Sequence, residues 1–413
     1  MVKKFVLSLN GTYQIDKTSY DINIRNDLMK LNTFIHQQLI LHKNSITNHH
    51  KTRKWDKFKK LTNDYELVFT SSQGFPSIAS YNPVSRSYFK LWEILNDFKK
   101  EINFPREPIK SVFLADAPGG FGEAFLNFRN NDIKSENGKF KDKLYAMSLK
   151  ATNKIIPHWK FDEKFCYSRN IVLFYGKSGS GNLYDINNIN DLIDETNANS
   201  CHFITADGGF DFSSDFNNQE EMSLRLIMCE IYTALRLQIE GGSFILKIYD
   251  IHNLVTIKLL YILKLFYNNM YFVKPLSSRP ANSEKYVVCT GFDSSNKHNY
   301  NNVISILKSN IILYNKDYIC RDICIPIQFI KDIINYNRIY IANQSMHIIK
   351  TLSLIEICEN NNFNNNIKHQ VTKALKWCHK YKINISKQNL LTYKGYFAPS
   401  LPTTGLTYSS NNF

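Results

Sequence analysis

The sequence contains no uninterrupted apolar stretch long enough to cross a bilayer. The longest apolar helix candidate, residues 254–267, is broken by Lys258 and Lys264, whereas a spanning helix needs about 20 consecutive apolar residues. The opening segment "MVKKFVLSLNGTYQ" has only a brief apolar run before polar residues follow, which is unlike a secretory signal peptide. We therefore expect no membrane partner.

Cysteine is present but is not arranged for cross-linking or metal binding. The eight cysteines show no framework spacing, which indicates a reducing compartment. A zinc set could be imagined from one group of four residues, but no C-x-x-C pair supports it, and we predict no metal. The four residues are Cys320, Cys324, Cys378 and His379.

Acidic residues are fewer than basic ones. The chain has 36 Asp and Glu residues and 51 Lys and Arg residues, which gives a net charge of +15. This excess favours a polyanionic partner, and nucleic acid before membrane, because no basic amphipathic anchor stands out. A soluble protein with solvated lysines is the alternative. The densest run is "KTRKWDKFKK" at 51–60, which we interpret as a solvated helix face in preference to an RNA contact.

From about residue 108 the chain alternates apolar strand candidates with helical patterns. Most candidates are continuous apolar runs, as expected of strands buried on both faces. This alternation predicts the α/β class, with a doubly wound and mostly parallel sheet. The last two strands are separated by only nine residues, too few for a helical crossover, so this pair should be antiparallel. The predicted strands are 110–116, 143–149, 170–177, 201–207, 243–250, 270–275 and 285–292.

Helical patterns occupy the remainder of the chain. In 219–242 the apolar residues recur at three and four residues, which predicts a helix that Gly241 ends. Their positions are Met222, Leu226, Cys229, Tyr232 and Leu235. The predicted organisation is a basic helical extension (1–75), an α/β domain (76–292), a helical region (293–395) and a disordered tail (396–413).

The stretch "FLADAPGGFGEAFLNF" at 113–128 has the strand, glycine turn and helix of a cofactor cradle. It lacks the lysine of a P-loop and the G-x-G-x-x-G spacing of a dinucleotide site. The acid at the strand end, Asp116, would repel phosphate but favour a cation. S-adenosylmethionine fits, since it carries an ammonium and a sulfonium group and no phosphate. The loop alone leaves a second interpretation open, in which the glycines serve only tight packing.

Three polar side chains stand where downstream strands end or begin. Asp207 ends one strand, Lys247 lies near the carboxyl end of the next, and Glu284 immediately precedes the last. Groups at carboxyl strand ends converge on one crevice of an open parallel sheet, where ligands bind. A buried salt bridge is the simpler interpretation, but a lysine between two carboxylates is more than packing requires.

Three segments in combination resemble the FtsJ-like RNA 2′-O-methyltransferases, most closely their mRNA cap branch in eukaryotes and large DNA viruses. They are "DAPGGFGEA", "ADGGF" with the following Asn217 and "QE", and "SRPANSEKYVVC". The resemblance runs from about 83 to 292 and implies a Rossmann-like methyltransferase sheet that uses S-adenosylmethionine; the helical extensions on either side follow from the residue patterns described above.

The resemblance also implies which residues act. A catalytic Lys-Asp-Lys-Glu tetrad falls on Lys90, Asp207, Lys247 and Glu284, with Lys90 supplied by "SRSYFKLWEI". Asn217 and Glu284 match positions that meet the RNA substrate. The cofactor contacts fall on Asp116, Ala117, Pro118, Gly119, Gly120, Phe121 and Gly122, and on Asn182 and Leu183 of "GSGNLYDINN", where the family often has Asp in place of Asn182.

The implied chemistry needs alignment of oxygen, methyl and sulfur and a base near the ribose oxygen. Our hypothesis is that Lys247 is that base or a proton relay. Burial and the neighbouring Lys90 should lower its pKa, while Asp207 and Glu284 should raise it.

The resemblance predicts methylation of the ribose 2′-hydroxyl in a 5′-terminal nucleotide of capped mRNA, converting cap 0 to cap 1. A ribosomal or transfer RNA 2′-O-methyltransferase and a non-catalytic RNA-binding subunit of a capping or polyadenylation assembly stay as alternatives. Other capping or transcription enzymes are candidate partners. The expected location is the cytoplasm, or the host cytoplasm or virion for a viral source, with the nucleus as alternative. Phe69, Phe75 and Tyr81 are aromatic residues that could stack on the cap base.

Overall fold

The predicted apolar runs form one sheet in the computed structural model. The structure describes residues 4–6, 22–50, 54–72, 74–132, 142–153, 156–210, 212, 215–315, 319–321, 323–357 and 363–393. Within these residues the strands are β1 (Lys4–Val6), β2 (Lys110–Leu114), β3 (Lys143–Met147), β4 (Ile171–Phe174), β5 (Cys201–Ala206), β6 (Gln238–Ile248), β7 (Tyr267–Val273) and β8 (Lys285–Phe292).

Thirteen α-helices flank this sheet or lie outside it in the described part of the chain. They are α1 (Ile22–His50), α2 (Lys54–Leu61), α3 (Ser87–Asp97), α4 (Lys99–Ile102), α5 (Gly120–Asp132), α6 (Glu163–Ser168), α7 (Ile186–Thr196), α8 (Gln219–Leu237), α9 (Leu254–Phe266), α10 (Lys297–Ile312), α11 (Ile327–Ile357), α12 (Asn364–Lys380) and α13 (Lys387–Leu391).

The strand order is β1-β7-β8-β6-β5-β2-β3-β4. Strands β2 to β6 pair in parallel, whereas β8 is antiparallel to both β6 and β7. The predicted α/β class and the antiparallel final pair are thus confirmed. Because β2 lies between β3 and β5, the chain order reverses beside β2, and in open sheets the ligand crevice lies at such a reversal.

The core follows from the apolar strand runs and the helices that cover them. Val112, Phe113 and Leu114 are fully buried in β2, as expected of a strand with helices on both faces. Helix α9 begins where the Asn253 side chain accepts a hydrogen bond from the Val255 amide (2.9 Å), since a side-chain oxygen at this position satisfies an otherwise unpaired N–H.

The predicted end of the helix at Gly241 is wrong. Helix α8 ends at Leu237 and β6 begins at once with Gln238. The Gln238 side chain donates to the Cys201 carbonyl (3.0 Å) and accepts from Tyr267 (2.9 Å), which holds the chain in the sheet. Gly241, with φ of +77°, serves the register shift between β5 and β6; a left-handed residue is as useful to a β-bulge as to a helix end.

The described chain separates into two compact units. The larger contains Met1–Asn48 and Pro83–Ile349, with the whole sheet, and the smaller contains His49–Asn82 and Lys350–Phe413. In the smaller unit, Trp377, Val371 and Phe58 are buried in a helical core. The four-part division along the sequence stays a prediction, and its tail at 396–413 lies outside the described residues.

The described part of the chain shows neither a metal-ligand cluster nor a membrane-spanning helix. Its seven cysteines are free thiols, and no group of three or more His, Cys, Asp or Glu side chains there is placed to hold a metal ion. None of the helices in these residues is both long and apolar enough to span a membrane.

A buried ion pair fixes the amino-terminal edge of the sheet. Arg129 on α5 donates from Nε to Asp142 Oδ2 (2.7 Å) and from Nη1 to the Pro105 carbonyl (2.8 Å). Asp142 Oδ1 in turn accepts from the Ile109 amide (2.9 Å), just before β2. Since Arg129 and Asp142 are both buried, neither can recover full hydration if the other is lost.

We predict that Arg129→Met lowers the free energy of unfolding by about 3–5 kcal/mol, because it leaves Asp142 buried without its cation. Denaturant unfolding followed by circular dichroism measures the change. Lys30→Met is the control, since Lys30 pairs with Asp27 at 3.3 Å in an exposed position, where a pair adds little. Equal unfolding midpoints for the two variants would contradict the prediction.

Candidate active site

The polar side chains predicted from the strand ends meet at the carboxyl edge of the sheet. Asp207 follows β5 directly, and Lys247 is the penultimate residue of β6. Glu284 precedes β8, which starts beside the end of β6, as Lys285 pairs with Ile248. Three separate segments therefore deliver their charged groups to one place, next to the strand reversal at β2.

Two ion pairs form the centre of the site. Lys247 Nζ lies 3.2 Å from Asp207 Oδ1 and donates to the Asp207 carbonyl oxygen at 2.6 Å. Lys90 Nζ lies 2.7 Å from Glu284 Oε1. The two pairs act on each other, since the charges of Asp207 and Lys247 both affect the pKa of Lys90. The structure thus brings together all four residues of the predicted tetrad.

Burial and neighbouring charges act in opposite directions on Lys247. Burial disfavours its ammonium group, but Asp207 above all, with Tyr249 and Glu284, favours that charge more strongly, so its pKa is raised above the usual value. Of the two lysines in the tetrad, Lys90 is the one whose pKa is lowered, because its burial outweighs the attraction of Glu284. The downward contributions that we expected at Lys247 are therefore outweighed, and its surroundings favour the charged form.

Lys90 is held in place through its own helix. The next turn of α3 carries Glu93, which accepts hydrogen bonds from the amides of Leu276 (2.7 Å) and Ser277 (3.1 Å). These two residues lie in the loop between β7 and Glu284. Helix α3 and the Glu284 loop are consequently fixed to each other, which sets the distance of the Lys90–Glu284 pair.

Glu284 has further partners that the sequence interpretation missed. Ser278 Oγ donates to Glu284 Oε1 (2.9 Å), and the buried Lys274 donates to the carbonyl oxygens of Asn282 (2.8 Å) and Glu284. Burial opposes the charge of Glu284, but Lys90 and other lysines lower the pKa of this carboxyl group well below its usual value. Burial also lowers the pKa of Lys274, to about 7.

Tyr286 is a second residue that the motifs did not reveal. It is fully buried, pairs with Lys247 across β6 and β8, and donates its hydroxyl hydrogen to Asp207 Oδ1 at 3.1 Å. Strand alternation was the available signal, because residues two apart in a strand point to the same face. Tyr286 stands two residues after Glu284, and Tyr249 two residues after Lys247.

The two glycines after Asp207 allow other groups to approach it. A Cβ atom at Gly208 would lie 2.5 Å from Glu230 Oε1, and one at Gly209 would lie 3.1 Å from Lys247 Nζ. Glu230 is buried on α8, and burial raises the pKa of its carboxyl group well above the usual value. A buried carboxyl group, whose charged form burial disfavours, therefore lies behind the tetrad.

The predicted cofactor loop, Asp116 to Gly122, forms the turn between β2 and α5. Asp116 is buried, and its two carboxylate oxygens accept from the amides of Phe121 (2.9 Å) and Gly122 (2.8 Å). The acid thus shapes the turn as well as supplying charge. Burial, and then the charge of Asp207, raise the pKa of Asp116 well above its usual value.

The glycines of this turn are needed by the chain itself. A Cβ atom at Gly120 would lie 2.1 Å from Ser87 Oγ, and one at Gly119 would lie 2.5 Å from the Phe161 ring. Gly119 also has φ of +113°, a conformation that favours glycine. Tight packing therefore explains part of the glycine pattern. This was the second interpretation of the loop in the sequence analysis.

The second predicted cofactor turn lies beside the first. Asn182 Oδ1 accepts from the Tyr184 amide (3.0 Å), and Leu183 is buried. A Cβ atom at Gly181 would lie 2.0 Å from the Ser148 carbonyl oxygen, and Ser148 Oγ accepts from the Ala117 amide (3.0 Å). Ser148 thus joins the two turns at the ends of β2, β3 and β4.

The residues present fit S-adenosylmethionine. Two carboxylates, Asp116 and Asp207, stand at the ends of adjacent strands, and the turn from 115 to 122 contains no lysine or arginine that would pair with a phosphate. This charge pattern suits a cationic ligand without phosphate.

Asn217 lies elsewhere in the same unit. Its side-chain nitrogen donates to Asn44 Oδ1 on α1 (2.7 Å), and its amide donates to Asp215 (2.9 Å). Its predicted role in meeting substrate stays a prediction.

Comparison with known families gives a match over the region that carries this site. Residues 83–292 match the FtsJ-like methyltransferase family, which is half of the chain. The chain belongs to this family. The resemblance inferred from the motifs is thereby confirmed, as is the methyltransferase class. S-adenosylmethionine, the methyl donor of FtsJ-like methyltransferases, is the cofactor that we predicted.

Several curated relatives are similar over the same region. The chain is 35% identical over 193 residues to the human cap-specific mRNA (nucleoside-2′-O-)-methyltransferase 1, covering 44% of this chain and 21% of that protein. It is 31% identical over 189 residues to the Drosophila melanogaster enzyme of the same name (45% and 22%) and 26% identical over 213 residues to the D. melanogaster cap-specific mRNA (nucleoside-2′-O-)-methyltransferase 2 (51% and 30%). The chain thus spans less than a third of the length of these relatives.

A search of solved structures found a ribosomal RNA methyltransferase, putative, from Plasmodium falciparum. It is 19% identical, with a TM-score of 0.35, and the match covers 50% of this chain and 97% of that one.

We predict that Asp116→Asn weakens the binding of S-adenosylmethionine by about 10- to 100-fold, since a lost charged acceptor is worth ~1.5–3 kcal/mol. An amide has only one oxygen for the two loop N–H groups and carries no charge. For the same reason, the affinity of the unaltered protein should fall as the pH is lowered and Asp116 takes a proton. Calorimetry over a pH series measures both effects.

Asp293→Asn is the matched control for this measurement. Asp293 follows β8 and accepts from the Ser295 amide (2.8 Å), a turn contact that asparagine makes equally well. Unchanged cofactor affinity in Asp116→Asn would contradict the prediction and indicate that Asp116 only shapes the turn.

Proposed function

We propose that this protein transfers the methyl group of S-adenosylmethionine to the ribose 2′-hydroxyl of a 5′-terminal nucleotide of capped mRNA, converting cap 0 to cap 1. Three findings support this proposal. The chain belongs to the FtsJ-like methyltransferases, curated relatives carry the name cap-specific mRNA (nucleoside-2′-O-)-methyltransferase, and the Lys-Asp-Lys-Glu cluster stands beside the cofactor turn.

The observation that carries the proposal is the pair of lysine–carboxylate contacts, Lys247–Asp207 and Lys90–Glu284, at 3.2 and 2.7 Å. A ribose 2′-hydroxyl is a weak acid, so its attack needs a fixed direction and a group that takes its proton. The cofactor, when bound, supplies a methyl group on a positive sulfur that is already reactive. What remains for the protein is positioning and proton transfer, which two lysines held by carboxylates can provide.

In this proposal Lys247 takes the proton of the 2′-hydroxyl. The pKa of Lys247 is raised mainly through Asp207, so Lys247 must first lose a proton. A positive charge that enters the crevice offsets this carboxylate and lowers the pKa of Lys247. Asp207 and the carbonyl contact at 2.6 Å keep the amine aimed in one direction.

Lys90 and Glu284 position the substrate in the same scheme. Glu284 is held charged by the lysines around it, and a charged carboxylate is a strong acceptor for a ribose hydroxyl. Ser278 donates to this carboxylate and fixes its direction, while Lys274 holds the Glu284 main chain through its carbonyl oxygen. Lys90 neutralises this carboxylate at 2.7 Å, which limits the repulsion between Glu284 and an approaching phosphate.

We predict that methyl transfer depends on the cap. With labelled S-adenosylmethionine, a short capped RNA should accept methyl at least about tenfold faster than the same RNA with a 5′-triphosphate, the effect of ~1.4 kcal/mol of added binding. Nuclease mapping should place the label on the ribose of a 5′-terminal nucleotide. Equal labelling of the two RNAs would instead favour a ribosomal or transfer RNA substrate.

A further inference from the structure

The two compact units carry very different densities of positive charge. The smaller unit, His49–Asn82 with Lys350–Phe413, contains 14 Lys and Arg residues and five Asp and Glu residues. Its net charge of +9 is more than half of the chain total of +15, although it has about a quarter of the residues. No residue of the proposed catalytic or cofactor site belongs to this unit, so its charge needs a separate explanation.

In the described part of this unit, two amphipathic helices carry basic residues on their outer faces. Along α12 the inward face is buried, and its residues are Ile367, Gln370, Val371, Ala374, Trp377 and Cys378. The outward face carries the basic residues, which are exposed or half-buried: Lys368, His369, Lys373, Lys376, His379 and Lys380. Helix α2 repeats the pattern, with Trp55 and Phe58 buried and Lys54 and Lys57 exposed.

The two basic helices belong to one body even though about 300 residues separate them in sequence. Gln370 of α12 is buried, and its Nε2 donates to the carbonyl oxygens of Lys60 (2.7 Å) and Asn63 (2.7 Å) at the end of α2. Phe58 of α2 contacts Phe363 with ring centroids 5.7 Å apart. The basic residues of α2 and α12, which are far apart in sequence, therefore contribute to the charge of the same unit.

The five acidic residues of the unit offset part of this charge, and the net charge of +9 already includes them; three of them make contacts within the unit. Asp56 pairs with Lys59, and Asp64 lies 3.4 Å from His369. Glu66 is fully buried and accepts from Asn63 Nδ2 (2.8 Å). Each of these three carboxylates is directed to a contact within the unit, and the exposed lysines of α12 and α2 keep a positive field towards solvent.

We propose that this basic unit, including the helix face within 51–60 that the sequence alone favoured as solvated, binds the phosphate backbone of the RNA substrate without regard to sequence. The inference rests on the proposed function, because it assumes an RNA substrate. Several lysines spread over one helix face suit a polyanion with regularly spaced charges. Such contacts raise the affinity for long RNA and leave the chemistry at the ribose unchanged.

The test removes three charges from α12 with Lys368→Gln, Lys373→Gln and Lys376→Gln in one chain. The control removes three exposed charges from the larger unit: Lys100→Gln, Lys297→Gln and Lys308→Gln. Binding of a capped RNA of about 20 nucleotides is measured over a salt series. The α12 variant should bind on the order of tenfold more weakly, and its slope of log affinity against log salt should fall by about 2, at ~0.7 per phosphate contact.

Methyl transfer to a very short capped RNA is measured in parallel and should be the same in both variants and the unaltered protein. Failure of the unaltered protein to methylate this RNA would refute the proposed function, whereas the binding series reports on the basic unit independently. A second variant, Lys54→Gln with Lys57→Gln, guards against local misfolding of α12 and should weaken binding in the same way. Binding of each variant to phosphatidylserine vesicles is measured as well. Equal RNA affinity of the α12 and control variants would overturn the inference, and so would an α12 variant that loses binding to these vesicles but not to RNA.

Discussion

The contact between Lys247 and Asp207 is the interaction on which the rest of the site depends. Lysine is rarely buried inside a parallel sheet unless it is paired, and this one stands at the end of β6 with a carboxylate 3.2 Å away at the end of β5. The pairing requires close backbone approach, which Gly209 permits. It also requires an oriented carboxylate, which the Tyr286 hydroxyl provides from β8 at 3.1 Å. The antiparallel strand β8, which lies between β6 and β7, therefore helps to hold this ion pair in place.

The second ion pair is built from a helix and a loop and is fixed by other means. Glu93 ties α3 to the loop after β7 through two amides, so that Lys90 and Glu284 meet. Gly120 lets the same helix approach the cofactor turn, because a Cβ atom there would touch Ser87. One helix thus contacts both the glycine turn and the Glu284 loop, so the same element holds the turn and the Lys90–Glu284 pair.

Much of this site could be predicted from the sequence, for definite physical reasons. Asp207, Lys247 and Glu284 were visible because charged residues interrupt apolar strands at their ends. Lys90 depended on resemblance, since a lysine in a helix carries no such signal. The end of α8 was misjudged because Gly241 suits a bulge as well as a helix stop. The net rise in the pKa of Lys247 and the joining of α2 with α12 could not be predicted, because both depend on contacts between distant residues.

The rate of methyl transfer by Lys247→Arg, in single turnovers with capped RNA over a pH series, tests the central claim most directly. Guanidinium stays protonated in proteins and cannot take the 2′-hydroxyl proton. Transfer should fall about a hundredfold or more at every pH, while cofactor and RNA still bind. The unaltered protein should speed up as the pH rises, because its raised pKa keeps Lys247 protonated at lower pH. An arginine variant with near-normal turnover would contradict a role for Lys247 as the base and leave it as a structural counter-charge to Asp207.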